Sequence, residues 1–280
     1  MPGPSNLLIE LQNVSYTYPG SKFPALQDIY GHVNRAEFIA VVGPNGSGKS
    51  TLARIMTGLL LTTGGRVLVN GLDTARSEVR QEIRRNVGLV MQNPDNQLVA
   101  AVVEEDVAFG PENLGLPSAE VSRRVKETLI AVGLSEMRDR PPHMLSGGEK
   151  QRLAIAGVLA LQPLCVVLDE PTSMLDPIGR QEVLQALRRL ADSGTALVLI
   201  THHMDEAAEA DRVWLLDNGR LLVDAEPAVL FGQIKLLHEL GLTSTNAGEL
   251  AYKLLEYGFT LPEGIVTMED MINFLCLVLK

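Results

Sequence analysis

The segment FIAVVGPNGSGKSTLARIM, Phe38 to Met56, constrains this chain more than any other. Five consecutive apolar residues predict a short strand buried on both faces, and LARIMTGLL carries apolar residues at helical spacing. A strand therefore runs through a glycine-rich turn directly into a helix. Within the turn, Gly43, Pro44, Asn45, Gly46, Ser47, Gly48, Lys49 and Ser50 satisfy G-x-x-x-x-G-K-S/T, and Thr51 follows. Glycines let backbone N–H groups close around a phosphate without Cβ obstruction, and the helix turns its positive N-terminal end to the anion. Lys49 is placed to reach the β- and γ-phosphates of a nucleotide, and Ser50 Oγ to ligate Mg²⁺.

The rest of the pattern is that of an α/β chain. LLIELQNVSYTY (Leu7 to Tyr18) alternates at period two before a Pro19-Gly20 turn, which predicts an antiparallel β element. Val87 to Met91, Cys165 to Leu168 and Ala196 to Ile200 are continuous apolar runs, as parallel strands covered on both faces are. Val121 to Leu134 and Gly147 to Leu161 read as helices, giving a helical subdomain at about residues 93–160 inserted in the sheet. Arg212 to Ala225 reads as a hairpin turning at Asn218-Gly219. Beyond Pro227 short helices take over, ending in Thr267 to Lys280. The expected division is a catalytic domain over 1–232 and a helical extension over 233–280, with a dimerising or regulatory use.

CVVLDE places Asp169 and Glu170 side by side at the end of a buried strand, where two carboxylates are costly without a cation. Asp169 is the expected second Mg²⁺ ligand, and Glu170 the general base that polarises the attacking water. LSGGEKQR opens a helix on Ser146, a good N-cap residue. Cys165 reads as a small buried hydrophobe.

Composition excludes several functions. Twenty-four basic against thirty-four acidic side chains give a net charge of −10, a poor match for nucleic acid, and no nucleic-acid partner is expected. Two cysteines, Cys165 and Cys276, cannot make a disulfide framework or a four-ligand zinc site. The apolar runs fall far short of the ~20 residues a membrane-crossing helix needs, and the N-terminus carries no signal-peptide pattern. The chain is expected to be soluble in the cytosol unless a partner holds it at a membrane.

The order phosphate loop, Gln92, LSGGE, Asp169-Glu170, SMLD (Ser173 to Asp176) and His202 in THHMDEA resembles the ATP-binding cassette (ABC) ATPases from about residue 7 to 230. The resemblance implies a P-loop fold of ABC type: an N-terminal antiparallel β subdomain, a parallel-sheet core, a helical subdomain and a small helical C-terminal extension. It also implies an ATP sandwich, in which Ser146, Gly147 and Gly148 of one ATPase touch the γ-phosphate held by the phosphate loop of another. By the same likeness Tyr18 stacks on adenine, with Tyr16 the alternative. Gln92 senses Mg²⁺ and the attacking water, and Asp176 crosses the dimer interface. His202, with His203 as second candidate, contacts the γ-phosphate. Glu149 and Met174 depart from the residues usual at their positions.

A narrower likeness lies in Met91 to Pro117, Asp139 to Leu161 and Pro171 to Arg180, which resemble the ATPases of energy-coupling factor (ECF) transporters. It implies an ATP-hydrolysing subunit, peripheral on the cytoplasmic side of the cell membrane, that powers uptake of vitamins or metal ions. The implied partners are a second ABC ATPase, identical or different, a transmembrane coupling subunit and a solute-binding membrane subunit. Asn93, Asp95, Gln97, Glu104, Glu105 and Asp106 are expected to line the groove that receives basic coupling helices. Other readings are an ATPase of another bacterial ABC importer, or a soluble ABC-type ATPase. A translation-type protein carries two cassettes, and a DNA-repair type needs a long coiled coil; this sequence has one phosphate loop and no sustained heptads.

Overall fold

The five apolar residues after Glu37 form β3 (Phe38–Val42), and their alternation decides how the molecule is layered. Phe38, Ala40 and Val42 face one core, while Ile39 and Val41 face a second on the other side of the same sheet. A strand dressed on both faces has no polar positions, which is why the run is uninterrupted. The computed structural model describes residues 6–262 and 264–278. Residues 1–5 of the 1–232 span, and Glu263, Leu279 and Lys280 of the 233–280 span, lie outside the described residues.

The N-terminal β element contains β1 (Leu7–Tyr16) and β2 (Leu26–Asn34), and it recruits β4 (Gly64–Val69) and β5 (Leu72–Asp73) into an antiparallel sheet ordered β2-β1-β4-β5. The last two strands were not legible as strands in the sequence. Asn13, with φ of 52°, lies within the register shifts of β1 and breaks the simple alternation expected over Leu7 to Tyr18. Between these strands, α1 (Lys49–Met56) follows the phosphate loop.

The second sheet is ordered β10-β9-β3-β8-β7-β6. Its strands β6 (Val87–Val90), β7 (Cys165–Asp169), β8 (Ala196–Ile200), β3 and β9 (Arg212–Asp217) run parallel, and β10 (Arg220–Ala225) returns antiparallel at the edge. Helix α2 (Arg80–Asn86) leads into β6. Register positions the site: Ile200 pairs with both Val41 and Asp169, and Val90 pairs with Leu168. The chain therefore leaves β3, β6, β7 and β8 along one edge, the carboxyl edge at which open α/β sheets bind ligands.

Between β6 and β7 lie α3 (Val103–Asn113), α4 (Ser118–Ala131) and α5 (Gly147–Leu159). Helix α5 is buried on most sides, and its Arg152 is neutralised by an ion pair to Glu182 on α6 (Pro177–Asp192). A four-residue helix, α7 (Met204–Ala207), follows β8. After β10, α8 (Pro227–Phe231) and α9 (Ile234–Glu239) put Leu230, Phe231 and Leu237 into the main core. Helices α10 (Asn246–Glu256) and α11 (Met268–Val278) build a separate small cluster on Ala247, Ala251 and Met271. The head of α10 is tied to the sheet domain where the Asn246 N–H donates to Asp205 at 3.0 Å. Among the described residues no helix is long and apolar enough to cross a membrane.

Candidate active site

The phosphate loop is held open by backbone geometry that only glycine permits. A Cβ on Gly43 would stand 2.1 Å from the Leu216 carbonyl, and one on Gly48 2.6 Å from that of Ala25. Gly48 (φ 104°) heads α1 with no side-chain cap, so the first N–H groups of this helix remain available to an anion. Lys49 is buried, and its Nζ donates to the carbonyls of Gly43 at 2.8 Å and Pro44 at 3.0 Å. Burial lowers its pKa, against the opposing pull of Glu170 and Asp169. The neighbouring Ser47 hydroxyl is buried without a partner.

Ser50 Oγ donates to Asp169 Oδ1 at 3.0 Å, joining the two expected metal ligands across loop and strand. Burial raises the Asp169 pKa, with the Ser50 hydrogen bond acting against it. Two adjacent hard oxygen donors, one a carboxylate whose ionisation is disfavoured in the bare protein, suit Mg²⁺. Gln92 does not join this pair. Its Nε2 donates to Glu170 Oε2 at 2.9 Å and lies 3.3 Å from Ser173 Oγ.

Glu170 holds a left-handed backbone, φ 49°, which costs a non-glycine residue about 1–2 kcal/mol. Its N–H donates to the Ile200 carbonyl at 2.9 Å, continuing the β7–β8 ladder one residue past the strand. The twist lets the carboxylate meet Gln92 and come within 3.6 Å of His202 Nδ1. His202 is 44% exposed, and the His203 ring packs against it at 4.0 Å, tilted by 41°. His203 sits instead beside Arg180, at 3.5 Å, and burial lowers its pKa. Neither histidine caps α7, since its N-cap residue makes no side-chain bond.

Tyr18 lies at the rim, with its hydroxyl 3.0 Å from Thr51 Oγ1 and more than a third of its surface free. Tyr16 is buried behind it, edge-on at 4.8 Å, and so has no face to offer a base.

Ser146, Gly147 and Gly148 form a distinct cluster. Ser146 Oγ accepts from the Glu149 N–H, and the Glu149 carboxylate accepts from the Ser146 N–H at 2.7 Å, a complete capping box. That backbone bond lowers the Glu149 pKa. Asp176 is the N-cap of α6, accepting from the Gly179 N–H at 2.7 Å. A Cβ on Gly148 would stand 3.2 Å from Gly179 Cα, so this glycine lets two helix heads meet. Beside them opens a cavity of about 440 Å³, bordered by the exposed Met174 and Ile178.

The acidic stretch after Gln92 is only partly a groove lining. Asp106 is buried and accepts from the N–H groups of Val99 at 2.7 Å and Ala100 at 2.9 Å, so it holds the loop and faces no partner. Gln97 is also turned inward, bonded to Met91 N–H and the Ala154 carbonyl, and Asn93 caps its own turn. Asp95 pairs with Lys150 at 2.7 Å, and Glu104 with Arg138 at 2.6 Å. A groove of about 670 Å³ is instead lined by Glu104, Glu105, Glu112 and Asp139 over Ala108 and Leu116. Glu112 and Asp139 were missed because they are distant in sequence from the Gln92 loop. Glu206, Thr172 and Arg180 were missed as well; the signal was a carboxylate four residues after His202 on the inner side of a very short helix.

A loop of this shape on a β-strand edge, with a carboxylate pair and a histidine facing it, defines a nucleotide-hydrolysing P-loop ATPase. The ABC transporter family profile matches residues 26–173. The chain is 51% identical over 280 residues to the Energy-coupling factor transporter ATP-binding protein EcfA1 of Symbiobacterium thermophilum, covering 97% of this chain and 98% of that one. It is 49% identical over 273 residues to the protein of the same name from Caldanaerobacter subterraneus subsp. tengcongensis, covering 96% and 99%. Among solved structures it is similar to cbiO1 of Clostridium perfringens, described as part of the ABC transporter complex cbiONQ, with TM-score 0.77, 33% identity, and 89% and 100% coverage. A dimeric post-hydrolysis state of the ATP-binding cassette MJ0796 bound to ADP and Pi gives TM-score 0.71 at 29% identity, covering 79% of this chain and 99% of that one. The chain belongs to the ABC transporter ATPases, in the group of ECF transporter ATP-binding proteins.

Proposed function

We propose that this chain is the ATP-hydrolysing subunit of an ECF-type importer, held on the cytoplasmic face of a membrane by transmembrane partners. The observation that carries the reading is the shared edge to which strand register delivers Lys49, the Ser50–Asp169 pair, Glu170 and His202. ATP is the substrate. Tyr18 stacks on its base, and Lys49 exchanges the Gly43 and Pro44 carbonyls for phosphate oxygens as the uncapped head of α1 receives the β-phosphate. Mg²⁺, held through Ser50 Oγ and Asp169, would neutralise charge on the β- and γ-phosphates when bound. Glu170 takes the proton of the attacking water, Gln92 fixes the orientation of that carboxylate, and His202 donates to the γ-phosphate.

Ser146, Gly147 and Gly148, with Asp176 beside them, serve the nucleotide of a second ATPase. Two such subunits close on ATP and reopen after hydrolysis. The exposed Tyr257, Phe259, Ile272 and Leu277 on the extension support this pairing of ATPases. The groove between Glu105 and Glu112 is open to a basic helix of a coupling subunit, and the relatives' names support an ECF partner set. A solute-binding membrane subunit selects the vitamin or metal ion.

Affinity purification of the tagged full chain from detergent-solubilised membranes tests this. A second ATPase, a coupling subunit and a small solute-binding subunit are expected to co-purify. Glu105→Lys combined with Glu112→Lys is expected to lower their recovery about 10-fold with ATP binding unchanged. Recovery of this chain without membrane subunits, or full recovery with the charge-reversed variant, would contradict the reading.

A further inference from the structure

We propose that Glu206 is a positioning residue that sets the separation of Glu170 and His202, a role that rests on reading those two as the hydrolytic groups. Glu206 is 3% exposed, and its two carboxylate oxygens accept from two different loops. Thr172 Oγ1 donates to Oε1 at 2.7 Å and Thr201 Oγ1 donates to Oε2 at 2.6 Å. Both threonines are 1% exposed. Thr172 lies two residues after Glu170, and Thr201 immediately precedes His202. One side chain therefore ties, through two threonine hydroxyls, the loop that carries Glu170 to the loop that carries His202, whose side chains stand 3.6 Å apart.

The clamp reaches further on the histidine side. Thr201 Oγ1 also accepts the His203 N–H at 3.0 Å, so its hydroxyl is oriented in both its roles. On the carboxylate side, Arg180 Nε lies 3.6 Å from Glu206 Oε1 and balances the buried charge. Helix α7 has four residues, too few to be stable by its own hydrogen bonds, and the carboxylate is one of the contacts that anchor it. An apolar residue would fill this interior at lower cost than an ionised one. What the carboxylate adds is direction: two short, charge-assisted bonds that leave neither loop free to slide.

The test is steady-state ATP hydrolysis by the full chain in the complex with which it purifies from membranes, with kcat and KM for ATP measured separately. Glu206→Ala is expected to lower kcat about 30- to 100-fold while KM changes less than about 3-fold, the signature of misplaced reacting groups. Glu206→Gln is expected to restore kcat to within about 5-fold, because an amide keeps two partners when one hydroxyl reverses its direction. Thr172→Val and Thr201→Val, which preserve shape, are each expected to lower kcat about 5-fold and carry the test should Glu206→Ala fail to fold. Combining either with Glu206→Ala is expected to add nothing further. Unchanged kcat in folded variants, or a fall in kcat matched by an equal loss of ATP affinity, would overturn the role. Glu170→Gln run alongside separates the two levels. Retained turnover there overturns the hydrolytic reading itself, whereas lost turnover there with wild-type rates in the Glu206 and threonine variants overturns the positioning role alone.

Discussion

The phosphate loop with its facing carboxylates, and the Ser146–Gly148 turn with Asp176, are both built on helix heads, yet they are finished differently. At the first, α1 has no side-chain cap, the Ser47 hydroxyl has no partner, and Lys49 rests on two loop carbonyls. At the second, α5 carries a full capping box and α6 is capped by Asp176. The first spends stability on an anion site that is complete within one chain. The second is locally satisfied and presents glycine backbone beside an open cavity, so whatever it contacts must arrive from outside. On the proposed reading, a single chain carries the binding half of a composite ATP site, and closure waits for a second ATPase.

Three substitutions sharpen that contrast, in falling order of effect. Lys49→Ala removes charge-assisted contacts worth about 2–3 kcal/mol, so a fluorescent ATP analogue is expected to bind about 100-fold more weakly. Equal affinity would remove the distinction between the two helix heads. Gly148→Val is expected to leave that affinity within about 3-fold but to lower turnover about 30-fold, because its side chain would push α5 away from Gly179. Weakened nucleotide binding by the single chain would show that the two regions are not separable. Glu149→Ala is expected to lower Tm by about 1–2 °C at pH 7. Since the folded protein holds the Glu149 pKa below its ordinary value, this stabilisation is present above that value and is lost as pH falls through the folded-state pKa. Melting curves of the two proteins should therefore converge in acid, and a gap that persists there would mean the capping box is not its source.

Much of this contrast was legible beforehand, because it depends on local order. A strand running into G-x-x-x-x-G-K-S, and Ser146 three residues before Glu149, specify their own backbone geometry. The positive φ of Glu170 left no trace in the sequence, since it follows from the β7–β8 register. The fate of the acidic stretch was equally hidden. Asp106 and Glu105 are adjacent and alike in charge, but helical rotation sends one into the core to hold Val99 and Ala100 while the other faces solvent. Strand β4 escaped notice because its pairing partner, β1, lies far back in the chain, and the two-residue β5 pairs only with β4. Glu206 stands four residues after His202, but what it joins was hidden for the same reason: its partners Thr172 and Thr201 meet only after β7 and β8 pair.

The central claim is that hydrolysis needs the Glu170 side of one ATPase and the Gly148 side of another around a single ATP. Phosphate release and retained ATP, measured in the purified complex carrying Glu170→Gln, test it most directly. Turnover is expected to fall at least ~100-fold while intact ATP stays bound, and adding Gly148→Val throughout is expected to release that ATP. Multiple-turnover hydrolysis by Glu170→Gln, or trapped ATP indifferent to Gly148→Val, would contradict it.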